Sequence, residues 1–273
     1  MKILIAADME GITGVVNWNH VTPGHYEYPR FRRLMTDDVN AAIAGAFAGG
    51  ADEVVVADGH WYGTNILIEE LDARAVMNSS NSAPHSMLQG ISKDIDGMMY
   101  IGYHARHGTQ NAICDHTYSD KTIHHLWIND VLTGEYGLNA ALAGYYGVPV
   151  IMVSGDQTAC AQVQEQLGAM PHAIVKKATG RSSAECLPPA KTQKLIHSAA
   201  EEAVKNLKAG KHPKPYLPAS PVTIKVELKA SEMADRAMRI PGSSRESLNI
   251  SMTMQDMPAA YFAFRTILAM ADV

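Results

Sequence analysis

Two carboxylates and two imidazoles each stand just past a short apolar run. Asp8 and Glu10 follow Ile3-Leu4-Ile5-Ala6-Ala7, His60 ends Asp58-Gly59-His60 after Val54-Val55-Val56-Ala57, and His104 ends Gly102-Tyr103-His104 after Met98-Met99-Tyr100-Ile101. Carboxylate oxygens and neutral imidazole nitrogens are the donors that hold zinc and similar divalent ions. The two oxygens of Asp8 allow it to bridge two metals. If the strand continues, Asp8 and Glu10 share a side, because alternate strand residues point the same way. Singly, each residue has a structural explanation: a cap or salt bridge for the two acids, a turn for His60. For Glu135, at the start of Gly134-Glu135-Tyr136-Gly137-Leu138-Asn139-Ala140, it is the N-terminal dipole of a helix. Together Asp8 as a bridge, Glu10, His60, His104 and Glu135 supply about the five or six protein bonds that two metals need, and Asp58 is a further candidate donor at the same strand ends. The chemistry expected of such a set is metal-dependent hydrolysis.

For these side chains to meet, the runs must be strands of one sheet. Short continuous apolar runs read as strands covered on both faces. Between the first two, Phe31, Leu34, Met35, Val39, Ala42, Ile43, Ala46 and Phe47 have helical spacing, and Gly49-Gly50 ends that helix. A right-handed βαβ crossover makes the two strands parallel, with their carboxyl ends on the edge where open α/β sheets bind ligands. The turn-rich stretch from Gly11 to Tyr28 is long enough for an active-site loop. A second crossover, with a Ser/Asn-rich loop at 78–82 and a short helix near 85–91, leads to the strand before His104. The polar loop that follows holds His107, Asp115 and His116. Further on come a strand at 123–128 turning at Asn129-Asp130, a helix from Gly134 to about Gly147, a fourth central strand at 148–153 and a long helix at 188–207.

The expected fold class is therefore α/β, a mainly parallel central sheet flanked by helices, with a smaller C-terminal α+β portion. A Pro/Lys-rich linker at 210–221 divides a metal-binding catalytic domain, 1–209, from a βαβα portion, 222–273. In the latter, Thr253 and Asp256 have capping-box spacing for the final helix. No catalytic cluster is evident there, so packing, assembly or shaping of the site entrance are its expected roles.

Bulk properties narrow the classes. The chain has 273 residues, 47% of them hydrophobic, and a formal charge of -5. That suffices for a real core and offers no basic surface for nucleic acid. Three widely spaced cysteines, Cys114, Cys160 and Cys186, fit neither a disulfide framework nor a Cys-based zinc site, so a reducing cytoplasm is expected. The N-terminal apolar run is cut short by Asp8, and no stretch reaches the length of a membrane span.

A family resemblance sharpens the reading. The segments from Asp8 to Gly14, Val54 to His60, Gly102 to Arg106, Ile128 to Asp130 and Gly134 to Ala140 resemble, in order and spacing, those of the bacterial D-aminopeptidase family of dizinc peptidases. The similarity covers nearly the whole chain. It implies two zinc ions per subunit bound by Asp8, Glu10, His60, His104 and Glu135, with Asp8 shared. It also implies an essential histidine, matched here by His116 in Asp115-His116-Thr117 and acting as general base or acid, oxyanion stabiliser or nucleophile. The segment 106–114 does not match a family motif closely, which keeps His107 as the lesser candidate. The implied activity is removal of the N-terminal residue, a D-amino acid, from short peptides or amino acid amides, by a cytoplasmic homodecamer of two stacked rings. The ligand set alone also suits another dimetal amidohydrolase or a phosphoesterase, or a non-catalytic metal-binding assembly protein. Phosphate is disfavoured by the lack of a Gly-rich phosphate loop and of a Lys or Arg cluster near the ligands.

Overall fold

The computed structural model describes residues 1–80 and 82–272; Asn81, in the loop expected at 78–82, and Val273 lie outside the described residues. In chain order the elements are β1 (Lys2–Ala7), α1 (Trp18–Val21), α2 (Tyr28–Gly49), β2 (Glu53–Asp58), β3 (Ala75–Asn78), β4 (Gly97–Tyr103), β5 (Ile123–Ile128) and β6 (Val131–Thr133). Then follow α3 (Glu135–Tyr145), β7 (Val150–Asp156), α4 (Gln157–Leu167), β8 (His172–Gly180), β9 (Ser183–Cys186) and α5 (Pro189–Lys208). β10 (Val222–Leu228), α6 (Ser231–Ala237), β11 (Ser244–Glu246), β12 (Asn249–Met254) and α7 (Met257–Ala271) complete the chain as described. Short 3-10 turns lie at Ile68–Glu70 and Ser86–Leu88.

The first sheet has seven strands in the order β3-β2-β1-β4-β7-β8-β9, parallel throughout except for β9. Its apolar runs are continuous because both faces are covered. On one face Ile3, Ile5 and Ala7 share a core with Phe31, Val39 and Ile43 of α2 and with Ile196 and Val204 of α5. On the other, Leu4 and Ala6 share a core with Leu138 of α3 and Phe264 of α7. Leu4 is fully buried, so truncating it to alanine would cost about 2–5 kcal/mol. The expected helix α2 begins with Pro29 in its first turn and ends at Gly50, whose φ of 95° gives the left-handed cap.

The second sheet is antiparallel, in the order β11-β12-β10-β5-β6. β5 and β6 precede the linker at 210–221 and β10 follows it, so this sheet draws on both sides of it. Asn129 and Asp130, with φ of 48° and 65°, form the tight turn between β5 and β6, both in the left-handed region that such hairpins require. α7 packs between this sheet and α3.

Two details differ from expectation. Asp256 is itself the N-cap of α7, accepting from the Ala259 N–H at 2.9 Å. Thr253 still belongs to β12, where its hydroxyl meets that of Thr223 at 2.8 Å, so the capping box is absent, while the final helix does start at Asp256 as expected. Hydrophobic patterning also does not single out α4, β8 and β9, in part because β8 carries Lys176-Lys177 in its middle. Among the described residues no helix is long and apolar enough to cross a membrane.

Candidate metal centre

Strand register brings the candidate donors level. Ala7 pairs with Asp58 on one side and with Ile101 on the other. The Asp8 N–H then donates to Ile101 O at 2.8 Å and the Gly59 N–H to Ala7 O at 2.9 Å, so the chains leave their strands in step. Leu4 and Ala6 point toward α3, and Asp8, one residue past the end of β1, follows that alternation; the strand does not continue to Glu10, which lies in the turn beyond it, and Glu135 opens α3 on the same side. Against β7, the register of β4 shifts between Tyr100 and Tyr103, the kind of bulge that re-aims side chains beside active sites. Gly102 has φ +75° there, and a Cβ on it would lie 2.2 Å from Asp8 O. A Cβ on Gly11 would lie 2.1 Å from Tyr103 O. Only glycines allow the two strand ends to approach closely enough for His104 to face Asp8.

The two oxygens of Asp8 face different partners. Oδ1 lies 3.3 Å from His60 Nδ1, which is 3.2 Å from Glu10 Oε2. Oδ2 lies 3.3 Å from His104 Nε2, which is 3.2 Å from Glu135 Oε1. Glu135 Oε1 is in turn 3.6 Å from His116 Nε2, and the His104 and His116 rings stack at 4.0 Å. All six residues are buried. Each imidazole turns its other nitrogen to a backbone carbonyl: His60 Nε2 to Val21 O at 2.8 Å, His104 Nδ1 to Ala105 O and His116 Nδ1 to Cys114 O, both at 2.9 Å. A carbonyl only accepts, so those nitrogens carry the proton, and in the neutral ring the inward nitrogen keeps its lone pair.

The electrostatics follow from burial and charge. Burial pulls the pKa of His60 and His104 down, but Glu10 and Asp8 around the first, and Glu135 and Asp8 around the second, outweigh it and hold both well above the usual imidazole range. Burial pushes Asp8 up, yet the two histidines bring it far below the usual carboxylate range. His116 goes the other way, held well below its usual value by burial and then by the charge of His104. Among the described residues, Asp8 Oδ2, both Glu10 carboxylate oxygens and His104 Nε2 are buried without an aligned hydrogen-bond partner. A buried carboxylate without donors costs several kcal/mol. A divalent cation among these atoms would satisfy all four, so the donor set fits a metal.

Surrounding residues hold this arrangement in place. The Tyr118 N–H donates to Glu135 Oε1 at 2.6 Å. Buried Lys176 donates to the carbonyls of Glu10 and Ile12 at 2.6 and 2.8 Å, and burial pulls its pKa down to about 8. In the loop carrying His116, Asp115 accepts from the Gly108 N–H at 2.6 Å and from Arg181 Nε at 2.8 Å. Asp58 does not join the cluster: its oxygens accept from the Asn65 and Ile66 amides and from Asn65 Nδ2, because its position in β2 turns it toward α2. Nor does His107, whose ring lies edge-on to His124 at 4.9 Å. Burial pushes the Cys114 thiol up to about 12, so it offers no thiolate.

The cluster opens into a cavity of about 630 Å³. Trp18, Trp61 and Tyr62 line it together with Lys121, Arg265 and Asp272. Arg265 and Asp272 come from α7 and its end, so the C-terminal portion does shape the site. Sequence reasoning did not find these wall residues. The long loop at 11–28, which carries Trp18, was the signal for one of them.

A buried set of imidazoles and carboxylates at the carboxyl edge of a parallel sheet is the donor arrangement of a metallohydrolase. The D-aminopeptidase family model matches residues 1–266. A curated D-aminopeptidase of Bacillus subtilis strain 168 is 34% identical over 273 residues, covering 99% of this chain and 98% of that protein. Among solved structures, the Zn-dependent D-aminopeptidase DppA of Bacillus subtilis, a self-compartmentalizing protease, superposes with a TM-score of 0.94 at 34% identity, covering 99% of this chain and 98% of that one. The chain belongs to the D-aminopeptidase family.

Proposed function

We propose that this chain is a zinc-dependent aminopeptidase that removes the N-terminal residue, a D-amino acid, from short peptides or amino acid amides. Asp8, Glu10, His60, His104 and Glu135 would hold two zinc ions per subunit, with Asp8 serving both. The observation that carries this reading is the division of Asp8, whose two oxygens each face a separate imidazole–carboxylate pair. Zinc held there would supply Lewis acidity at the scissile carbonyl and lower the pKa of a water toward neutrality.

The chain's own residues supply the rest. His116 is neutral, and its Nδ1–H is fixed by Cys114 O, so Nε2 is free to take a proton from the attacking water and pass it to the leaving amine. Carboxylates near the cavity draw in the free amine of the substrate. A cavity of about 630 Å³ accommodates a residue or two and excludes a folded surface. The protein works in the cytoplasm as a homodecamer, the assembly that the family resemblance implies; the description of DppA as self-compartmentalizing supports it.

The test pairs metal analysis with matched D- and L-aminoacyl amides and dipeptides. Hydrolysis of the D series that disappears on chelation and returns with zinc is the expected result. Lys121 and Arg265 on the cavity wall are a feature that favours phosphate esters, so p-nitrophenyl phosphate is the control substrate. Turnover of it in place of the amides would replace this reading with the phosphoesterase. Light scattering should give a decameric mass, and an active monomer would remove the assembly while leaving the chemistry.

A further inference from the structure

Away from the cavity, β5 and β10 carry a second group of donors. His124 Nδ1 and His125 Nδ1 stand 3.0 and 2.7 Å from the same oxygen, Glu227 Oε2. Successive strand residues ordinarily point to opposite faces, so two neighbouring imidazoles on one carboxylate require a break in the strand. The break is present: His125 pairs with Glu227 and Ile123 with Leu228, which leaves His124 as an extra residue in a bulge. His107 approaches from the loop that also carries His116. Its ring is edge-on to His124, with centroids 4.9 Å apart, and 6.3 Å from that of His125; its Nδ1 is buried with no hydrogen-bond partner among the described residues.

We propose that His124, His125 and Glu227, with His107 as the fourth donor, form a second site for a divalent transition metal, separate from the catalytic cavity. One ligand atom from each of the first three lies within 4.8 Å of the others. The donors of a tetrahedral zinc ion, at bond lengths of about 2.0–2.1 Å, lie roughly 3.3 Å apart. The two imidazole–carboxylate separations, 3.0 and 2.7 Å, are shorter than that by a few tenths of an ångström, and His107 would complete the set by turning its ring toward them. Imidazole with carboxylate suits zinc, copper and nickel, and not magnesium or calcium. The side chains of His124, His125 and Glu227 are 42%, 26% and 27% exposed, so an ion reaches them without any opening of the fold. Once bound, it ties the loop from His104 to Thr122 to the antiparallel sheet through His107.

The experiment compares wild-type protein with His125→Asn and Glu227→Gln, each stripped of metal, loaded with zinc and passed through metal-free buffer. Zinc per chain is then measured by mass spectrometry. Both variants should carry one zinc fewer than wild type while keeping peptidase turnover. Equal zinc in all three would overturn the site. Failure of zinc to bind in the cavity would lower every sample alike, so the difference between samples is unaffected by it. To guard against a variant that folds poorly, Cu²⁺ added to zinc-loaded wild type, where its higher affinity for imidazole and carboxylate donors displaces zinc from the exposed second site, gives a second readout. An electron paramagnetic resonance spectrum with coupling to imidazole nitrogen, lost in His124→Asn, is expected, and a spectrum with no such coupling would equally overturn the site.

Discussion

Lys176 Nζ lies 2.6 Å from the backbone carbonyl of Glu10. A buried ammonium from β8 thus fixes the path of the segment that delivers two of the candidate metal-binding carboxylates. Lys176→Met keeps the volume and removes the donor. We expect kcat to fall about 10- to 100-fold, because displacements near 1 Å in a reacting site cost that much. Zinc content should fall less than turnover. Wild-type kinetics in this variant would reduce Lys176 to a filler of the core.

Asp8→Ala should lose both metals, since each of its oxygens faces a different half of the cluster. His60→Ala should mainly empty one half and His104→Ala the other. Zinc analysis of the three purified variants decides the matter. An Asp8→Ala protein with two zinc ions and full activity would refute the bridging assignment.

His116→Ala should keep its zinc and lose turnover by on the order of 100-fold or more, the range for a general acid–base group. His107→Ala should keep its turnover, since that ring lies against His124 and outside the cavity. Exchange of these two phenotypes would move the catalytic role to His107.

Asp38 is buried against the Thr13 N–H and hydroxyl, both at 2.9 Å. Burial raises its pKa from 3.8 to about 7. The fold therefore favours the protonated acid: its contribution to stability is full below pH 4 and is lost as pH rises through 7. The substitution Asp38→Asn puts there an amide that cannot ionise and that keeps an acceptor for Thr13. In metal-free protein at pH 8, this variant should melt above wild type, by up to about 4 kcal/mol in stability, with the gap closing at pH 4. Melting curves that stay parallel across that range would show that Asp38 remains ionised in the fold.

Much of the cluster was legible because a run such as Ile3 to Ala7, buried on both faces, has a single stable environment, and a polar residue straight after it must stand at a sheet edge. The same logic failed for Asp58. Its side chain faces the other way, and a one-residue change of face leaves no trace in composition. The bulge at Gly102 was hidden because a glycine in a strand has several explanations. Lys176 was missed since a lysine in a polar stretch reads as solvent-facing; only the fold shows the two carbonyls it serves. Nor could periodicity reveal that β5 pairs with β10, for pairing across about a hundred residues depends on the whole topology.

The wall that α7 contributes sets an order of events for a chain under synthesis. Asp8 and Glu10 are made almost at once, yet Arg265 and Asp272, on the same cavity, emerge only after some 250 further residues. Until that helix docks against the antiparallel sheet, the growing chain has these candidate metal-binding acids without the wall that α7 gives the cavity.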